Sequence, residues 1–230
     1  MIEEPPLIRI NTKRNRPTAE QIAAFQGVPT SFVCDAMDGK GALAGLAPIG
    51  FGRDLNCVAA GPALTAENGP ADLLATLCAI KFVEKGDVMI SSVAGHQGCA
   101  AAGDRVCGFF RNAGAAGFVT DGPMRDYAGI VDVGLPAWCT GLNPASPFGK
   151  GPGTVGFPVQ IAGQTVASGD MIVADRDGVV VVPFANIDAV IERLKAVTAA
   201  EMALDAEVRD GLVIPPSIEA LLASDQVSYE

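Results

Sequence analysis

The sequence predicts an α/β fold built around a central βαβ unit, and three observations predict it. Val88 to Val93 is a short apolar, β-branched-rich run that follows a Gly-Asp pair and stops at Ala94-Gly95, the pattern of a buried strand. Gln97 to Asn112 is Ala-rich, sets Val106, Phe109 and Phe110 on one side and stops at Asn112 to Gly114, the pattern of a helix. Gly117 to Thr120 is a second strand, closed by the turn signal Asp121-Gly122-Pro123. A strand, a crossover helix and a strand in succession put both turns at the carboxyl ends of neighbouring strands, the edge of an open α/β sheet where ligands bind.

The other elements follow in chain order. After an extended leader, Pro17-Thr18-Ala19-Glu20 opens a short helix that Gly27-Val28-Pro29 ends. Thr30 or Ser31 caps a second helix, stopped by Gly39 and Gly41, with Phe32, Val33, Ala36 and Met37 as its apolar face. Leu55 to Thr65 reads as a strand region broken by Gly61-Pro62, and Ala71 to Val83 as an amphipathic helix with acidic residues near its start. Beyond the central unit come a short helix at Ala128 to Val133 and a third strand of the same sheet at Leu135 to Thr140, which holds the core residue Trp138. Asn143 to Gly153 is the longest loop signal; it either covers the site, bringing Lys150 to a substrate, or is a solvated connector. Thr154 to Ile161 and Met171 to Val182 read as strands, the latter folded at Asp177-Gly178 into a hairpin. Asn186 to Asp210 is a long helix with an apolar stripe from Ile187 to Leu204, and so long a helix after a completed core is a natural oligomer contact. Residues 1–230 thus form one domain, with 184–230 a carboxyl-terminal helical extension.

Composition excludes several classes of function. With 230 residues, 49% hydrophobic and 18% charged, the chain has the make-up of an ordinary globule with a sizeable core. A net charge of −10 leaves no basic stripe for nucleic acid or an anionic membrane. The amino terminus has acids and prolines where a signal peptide needs an apolar run, so a cytoplasmic protein is expected. The six cysteines form no CxxC pair and are expected to be reduced core thiols; Cys99, beside a glycine-rich loop, is the exception whose thiol pKa has reason to fall. No dinucleotide fingerprint or P-loop is present, and one histidine leaves little for zinc or Ser-His-Asp chemistry.

The two central turns carry the chemistry. Gly95-His96-Gln97-Gly98 opens onto the predicted helix start, where small residues and free amide N–H groups, continuing to Cys99, make an anion site. His96 is placed as an acid or electrostatic group near a ligand there, or is simply solvated. The second turn offers Arg125 and Asp126 side by side, and Asp104 is expected about two turns into the helix. An arginine grips a carboxylate at two points, and paired acids suit a hard divalent cation. On local sequence alone, an Arg-Asp pair after a turn is usually a solvated surface pair.

The wider pattern changes that balance. Asp104 and the Arg125-Asp126 pair are separated by twenty residues and set in GD…GFVTDGPMRD, which resembles the motif of the 4-hydroxy-4-methyl-2-oxoglutarate aldolase family. These are metal-dependent pyruvate aldolases related to the regulator of ribonuclease activity A. TSFVCDAMDG at 30–39 and GDMIVADRDGVVVVP at 169–183 extend the resemblance over most of the chain. It implies a swivelling-type β/β/α sandwich with outer helices and a trimer or hexamer with sites between subunits. It also implies Mg²⁺ or Mn²⁺ near Asp126, with Asp104 ordering its waters, and a small 2-oxo acid held by Arg125 and the amides of Gly95, Gln97, Gly98 and Cys99. A glutamate from a neighbouring subunit's long helix completes the family's site; Glu201 aligns best and Glu207 competes. Asp126 and the long helix favour an enzyme over the non-catalytic regulators that share the fold.

Overall fold

The structure, a computed structural model, describes residues 5–230. In chain order the strands are β1 (Ile8–Ile10), β2 (Ala47–Pro48), β3 (Ala59–Asn68), β4 (Val88–Ser92), β5 (Gly117–Thr120), β6 (Ala137–Cys139), β7 (Gly153–Val155), β8 (Val159–Ile161), β9 (Gln164–Val166), β10 (Met171–Ala174) and β11 (Val179–Val182). The helices are α1 (Ala19–Ala23), α2 (Thr30–Ala36), α3 (Leu74–Ala79), α4 (Asp104–Ala113), α5 (Tyr127–Val133), α6 (Ile187–Arg209) and α7 (Pro216–Leu222).

The main sheet has the order β1-β7-β3-β4-β5-β6-β2. Its four central strands, β3 to β6, are parallel, so all their carboxyl ends lie along one edge. The amino-terminal half of β3 leaves this sheet to pair antiparallel with β10, and β10 pairs in turn with β11. Gly61-Pro62 therefore marks a handover between partners where a break was expected: Pro62 faces Met171 and Ala63 faces Val88. Gly61 is required there, since a Cβ would stand 2.0 Å from the carbonyl oxygen of Gly86.

The period of two along each strand sorts the core into layers. Val88 and Ile90 face a core between the two sheets, with Trp138, Ile172, Val179 and Val181, while Met89 faces Cys107, Phe110 and Ile130 of α4 and α5 on the other side. Met171, Val173, Val180 and Val182 point outward to a third cluster with Val33 of α2 and Ile187, Val190 and Leu194 of α6. Helices thus cover both outer faces of a double β layer, the mixed α/β class the sequence predicts.

Several boundaries differ from expectation. Thr154 to Ile161 is two strands, because Gly156 at φ +79 sits with its Cα so close to Asn11 that a Cβ would be 2.0 Å from that residue's carbonyl oxygen. β8 turns at Ala162-Gly163 into β9, a hairpin too short to register as a separate alternation. α3 covers only part of 71–83, and the leader contributes β1, paired with β7. Below the sheet, the buried Asp87 carboxylate accepts from Arg14 Nη2 and Arg16 Nη1, each at 2.7 Å, and so ties the leader down. All six cysteines are free, and no helix among the described residues is long and apolar enough to cross a membrane.

Candidate active site

Both central turns lie at the carboxyl edge of β4 and β5, as the βαβ unit requires. The helix of that unit begins later than predicted. Gln97 to Gly103 stays out of the helix because it pairs sideways with the second turn: Ala101 N–H donates to the Pro123 carbonyl at 2.7 Å and Arg125 N–H to that of Ala102 at 3.1 Å. Gly103 is extended (φ −147, ψ −167) and caps α4. Asp104 is consequently the first residue of α4, and not two turns into it, and the 95–99 amides are not a helix terminus.

At its upstream end the paired stretch already holds an anion. Asp121, 7% exposed, accepts from Val93 N–H at 2.7 Å and Gly95 N–H at 2.9 Å. Gln97 acts as a staple: its Nε2 donates to the Gly95 and Asp121 carbonyls, its Oε1 accepts from Thr140 Oγ1, and its carbonyl accepts from Asn143 Nδ2. His96 lies folded over Gly98, where a Cβ would be 2.8 Å from Nε2. Cys99 is buried, and burial raises its thiol pKa, opposite to the fall that a helix start would have given.

At the downstream end the stretch is open. A pocket of about 380 Å³ is lined by Gly103, Asp104, Arg105, Val106, Arg125 and Asp126. Residues 95 to 99 do not line it. Arg125 and Asp126 are partly exposed there, with Nε 3.3 Å from Asp126 Oδ2, and Nη1 donates to Ser146 Oγ. Asp126 adopts a left-handed backbone (φ 60, ψ 46) at the start of α5, a conformation that aspartate tolerates better than most non-glycine residues and that places its carboxylate back toward Gly103. The first amides of α4 have no acceptor within the helix, apart from Arg105 N–H, which donates to Asp104 Oδ1 at 2.6 Å. These first-turn amides were missed in the sequence because their signal, Gly103-Asp104 as a cap, lies inside a run that looked helical from Gln97.

Two glycines make room for the acids. A Cβ on Gly103 would stand 2.6 Å from Asp126 Oδ2, and one on Gly129 would stand 2.7 Å from Asp104 Oδ2. The donor chemistry, two carboxylates in a polar pocket, suits a hard divalent cation that keeps most of its waters. Among the described residues no three His, Cys, Asp or Glu side chains converge, so further ligands would be water or groups from a second copy. Glu201 and Glu207 are on α6, whose buried residues pack with α2 on the opposite outer face from α4 and α5. Within one chain neither belongs to the pocket's lining. Lys150 is also elsewhere: its N–H donates to Asp72 Oδ2 and its ammonium lies 5.6 Å from the Phe148 ring centroid.

A layered α/β fold with an Arg-Asp pair facing the capping turn of a crossover helix defines the class, and residues 30–181 match the model of the RraA-like family, described as aldolase/RraA. The chain belongs to this family. A protein of Halalkalibacterium halodurans named "Putative 4-hydroxy-4-methyl-2-oxoglutarate aldolase" is 32% identical over 192 residues, covering 84% of this chain and 90% of that one. Among solved structures, a Pseudomonas syringae protein is similar with TM-score 0.76 and 27% identity, covering 87% of this chain and 93% of that one. Streptomyces coelicolor RraAS2, described as an unusual member of the RNase ES inhibitor RraA protein family, is similar with TM-score 0.70 and 25% identity, over 87% and 100% of the two chains.

Proposed function

We propose that this protein is a class II pyruvate aldolase. With Mg²⁺ or Mn²⁺ it cleaves acids of the 4-hydroxy-4-methyl-2-oxoglutarate and 4-carboxy-4-hydroxy-2-oxoadipate type to pyruvate and a second oxo acid. The observation that carries this reading is the convergence of Arg125, Asp104, Asp126 and the first amides of α4 on one open pocket.

Each group has a task in that chemistry. The α4 amides and the guanidinium of Arg125 bind the carboxylate and 2-oxo group of the substrate. Cleavage moves the electrons of the bond between C3 and C4 into the enolate of pyruvate, while the 4-hydroxyl loses its proton and becomes the new oxo group. Negative charge grows on the 2-oxo oxygen, and Arg125 stabilises it without reorganising. Asp104 and Asp126 are the residues that would hold the cation, which supplies further charge stabilisation at that oxygen. Loss of CO₂ from oxaloacetate gives the same enolate, so decarboxylation is the expected side activity.

The name of the Halalkalibacterium halodurans relative supports an aldolase, and the exposed apolar residues Met202, Val208 and Leu221 support assembly through α6 and α7; a cytoplasmic trimer or hexamer is the assembly we propose. Such an assembly would bring Glu201 or Glu207 of one copy to a neighbour's pocket. A second reading, a protein-binding regulator without catalysis, draws on the likeness to RraAS2. Pyruvate release from 4-hydroxy-4-methyl-2-oxoglutarate and from oxaloacetate separates the two. Release that requires Mg²⁺ or Mn²⁺ and stops on chelation is the expected result. Release from oxaloacetate alone would point to a different hydroxy-oxo acid as substrate, and none from either would favour the regulator.

A further inference from the structure

Arg125 and Asp126 are adjacent residues of opposite charge on a pocket rim, with side chains 35% and 46% exposed. The strongest arrangement open to them is a two-point guanidinium–carboxylate pair, which would occupy both groups at once. The structure holds a weaker one. The nearest approach is Nε to Asp126 Oδ2 at 3.3 Å, a charge contact without a hydrogen bond, while Nη1 donates to Ser146 Oγ. Ser146 stands on a connection that is itself pinned on both sides. The Ala145 carbonyl accepts from Ala100 N–H at 3.0 Å, Asn143 Oδ1 accepts from Ala145 N–H at 2.9 Å, and downstream Asp72 Oδ2 accepts from the N–H groups of Lys150 and Gly151.

We propose that Ser146 is a positioning residue: by tethering Nη1 it keeps Arg125 from shifting its Nε–Nη2 edge fully onto Asp126, leaving the guanidinium free for an anion and the carboxylate free for a cation. A guanidinium has five N–H groups; with one hydrogen of Nη1 on Ser146, Nη2 and the second hydrogen of Nη1 remain as an edge for a carboxylate. Ser146 Oγ accepts from Arg125, so its own hydrogen is left to donate, and it has no acceptor among the described residues. A bound carboxylate on that edge is within the reach of both donors. The identity of these ligands rests on the aldolase reading; the geometry of Arg125 does not.

Three variants, Ser146→Ala, Ser146→Thr and Arg125→Ala, test this with two probes, Mn²⁺ alone by electron paramagnetic resonance and oxalate by calorimetry in the presence of Mn²⁺. Ser146→Ala is expected to weaken oxalate binding about 10-fold to 100-fold, the worth of a hydrogen bond to a charged group, and to weaken Mn²⁺ binding to a smaller degree. Ser146→Thr, which keeps the hydroxyl, restores both. In the Arg125→Ala background the Ser146→Ala change leaves Mn²⁺ affinity where it was, because the competitor for Asp126 is gone. Wild-type affinity in Ser146→Ala, or a loss of Mn²⁺ affinity that persists without Arg125, overturns the proposal. Ligand-free crystal structures decide it independently of function: a second guanidinium nitrogen should move onto Asp126 in Ser146→Ala, and an unchanged single contact sinks the idea. A wild type that binds neither probe, with a closed pair in the Ser146→Ala crystal, would leave Ser146 as the spacer and remove the aldolase reading.

Discussion

Two amide-rich stretches border the same pair of turns, and they differ in where their anion comes from. At 93–97 the chain supplies its own: the Asp121 carboxylate sits among the Val93 and Gly95 N–H groups, and the Gln97 side chain closes the loop. At 103–106 the first turn of α4 faces a pocket whose charged groups, Arg125 and Asp126, remain partly exposed. Glycine and free amides announce an anion site in both. What separates the two is how the chain's own carboxylates are used: Asp121 is buried against two backbone N–H groups, whereas Asp104 takes one first-turn N–H and Asp126 stays partly exposed.

The largest expected effect falls on the open end. Arg125→Lys keeps the charge and loses the planar grip, so turnover should fall by about two orders of magnitude while urea stability changes by less than about 0.5 kcal/mol. Near-normal turnover in steady-state assays would take Arg125 out of the chemistry. On the closed end the balance reverses. Asp121→Ala strands the buried Val93 N–H and the part-buried Gly95 N–H and should lower stability by about 1–3 kcal/mol in urea unfolding. A loss below about 0.5 kcal/mol would mean that the 93–97 loop does not depend on its internal anion.

Gly129→Ala sharpens the comparison from a third side. Alanine is the better helix former by up to about 1 kcal/mol, yet its Cβ would meet both Cβ and Oδ2 of Asp104 at 2.7 Å. Weaker Mn²⁺ binding together with lower stability is expected, because Cβ against Cβ is relieved only by moving α5 away from α4; stability at or above wild type with unchanged Mn²⁺ affinity would show that Asp104 yields without consequence. The smallest effect concerns α4 itself. Burial pushes the Cys107 thiol up to about 12, from 9.0 in the absence of burial, so the folded state keeps its proton longer than the unfolded chain. Stability should therefore be unaffected by this group below about pH 9 and decline as pH rises from there toward 12. Cys107→Ala should flatten that decline in pH-dependent unfolding, and an unchanged slope would assign it to other groups.

Much of this was legible in the sequence, for physical reasons that also explain the gaps. β4, β5 and their order were readable because a buried parallel strand needs an unbroken apolar run between turn signals. Arg125, Asp126 and Asp104 stood out only through the resemblance of GD…GFVTDGPMRD to a family motif, since an Arg-Asp pair after a turn looks locally like a solvated surface pair; the structure brings the three to one pocket. The start of α4 was misplaced because Cys99 to Ala102 is as apolar and Ala-rich as a helix, whereas its backbone bonds go sideways to Pro123 and Arg125. That is a tertiary choice, and local propensity does not contain it. Asp121 looked like a turn residue for the same reason: its partners, Val93 and Gly95, are distant in sequence. Ser146 carried no signal, since a serine in a proline-rich loop gains meaning only when Arg125 is found beside it.

The most direct measurement is a crystal structure of the protein soaked with Mn²⁺ and oxalate. Oxalate density against Arg125 and the first turn of α4, with Mn²⁺ beside Asp126 and Asp104, is the predicted result. Oxalate seated on the 95–98 loop with Asp121 displaced, and no Mn²⁺ at the two carboxylates, would contradict it.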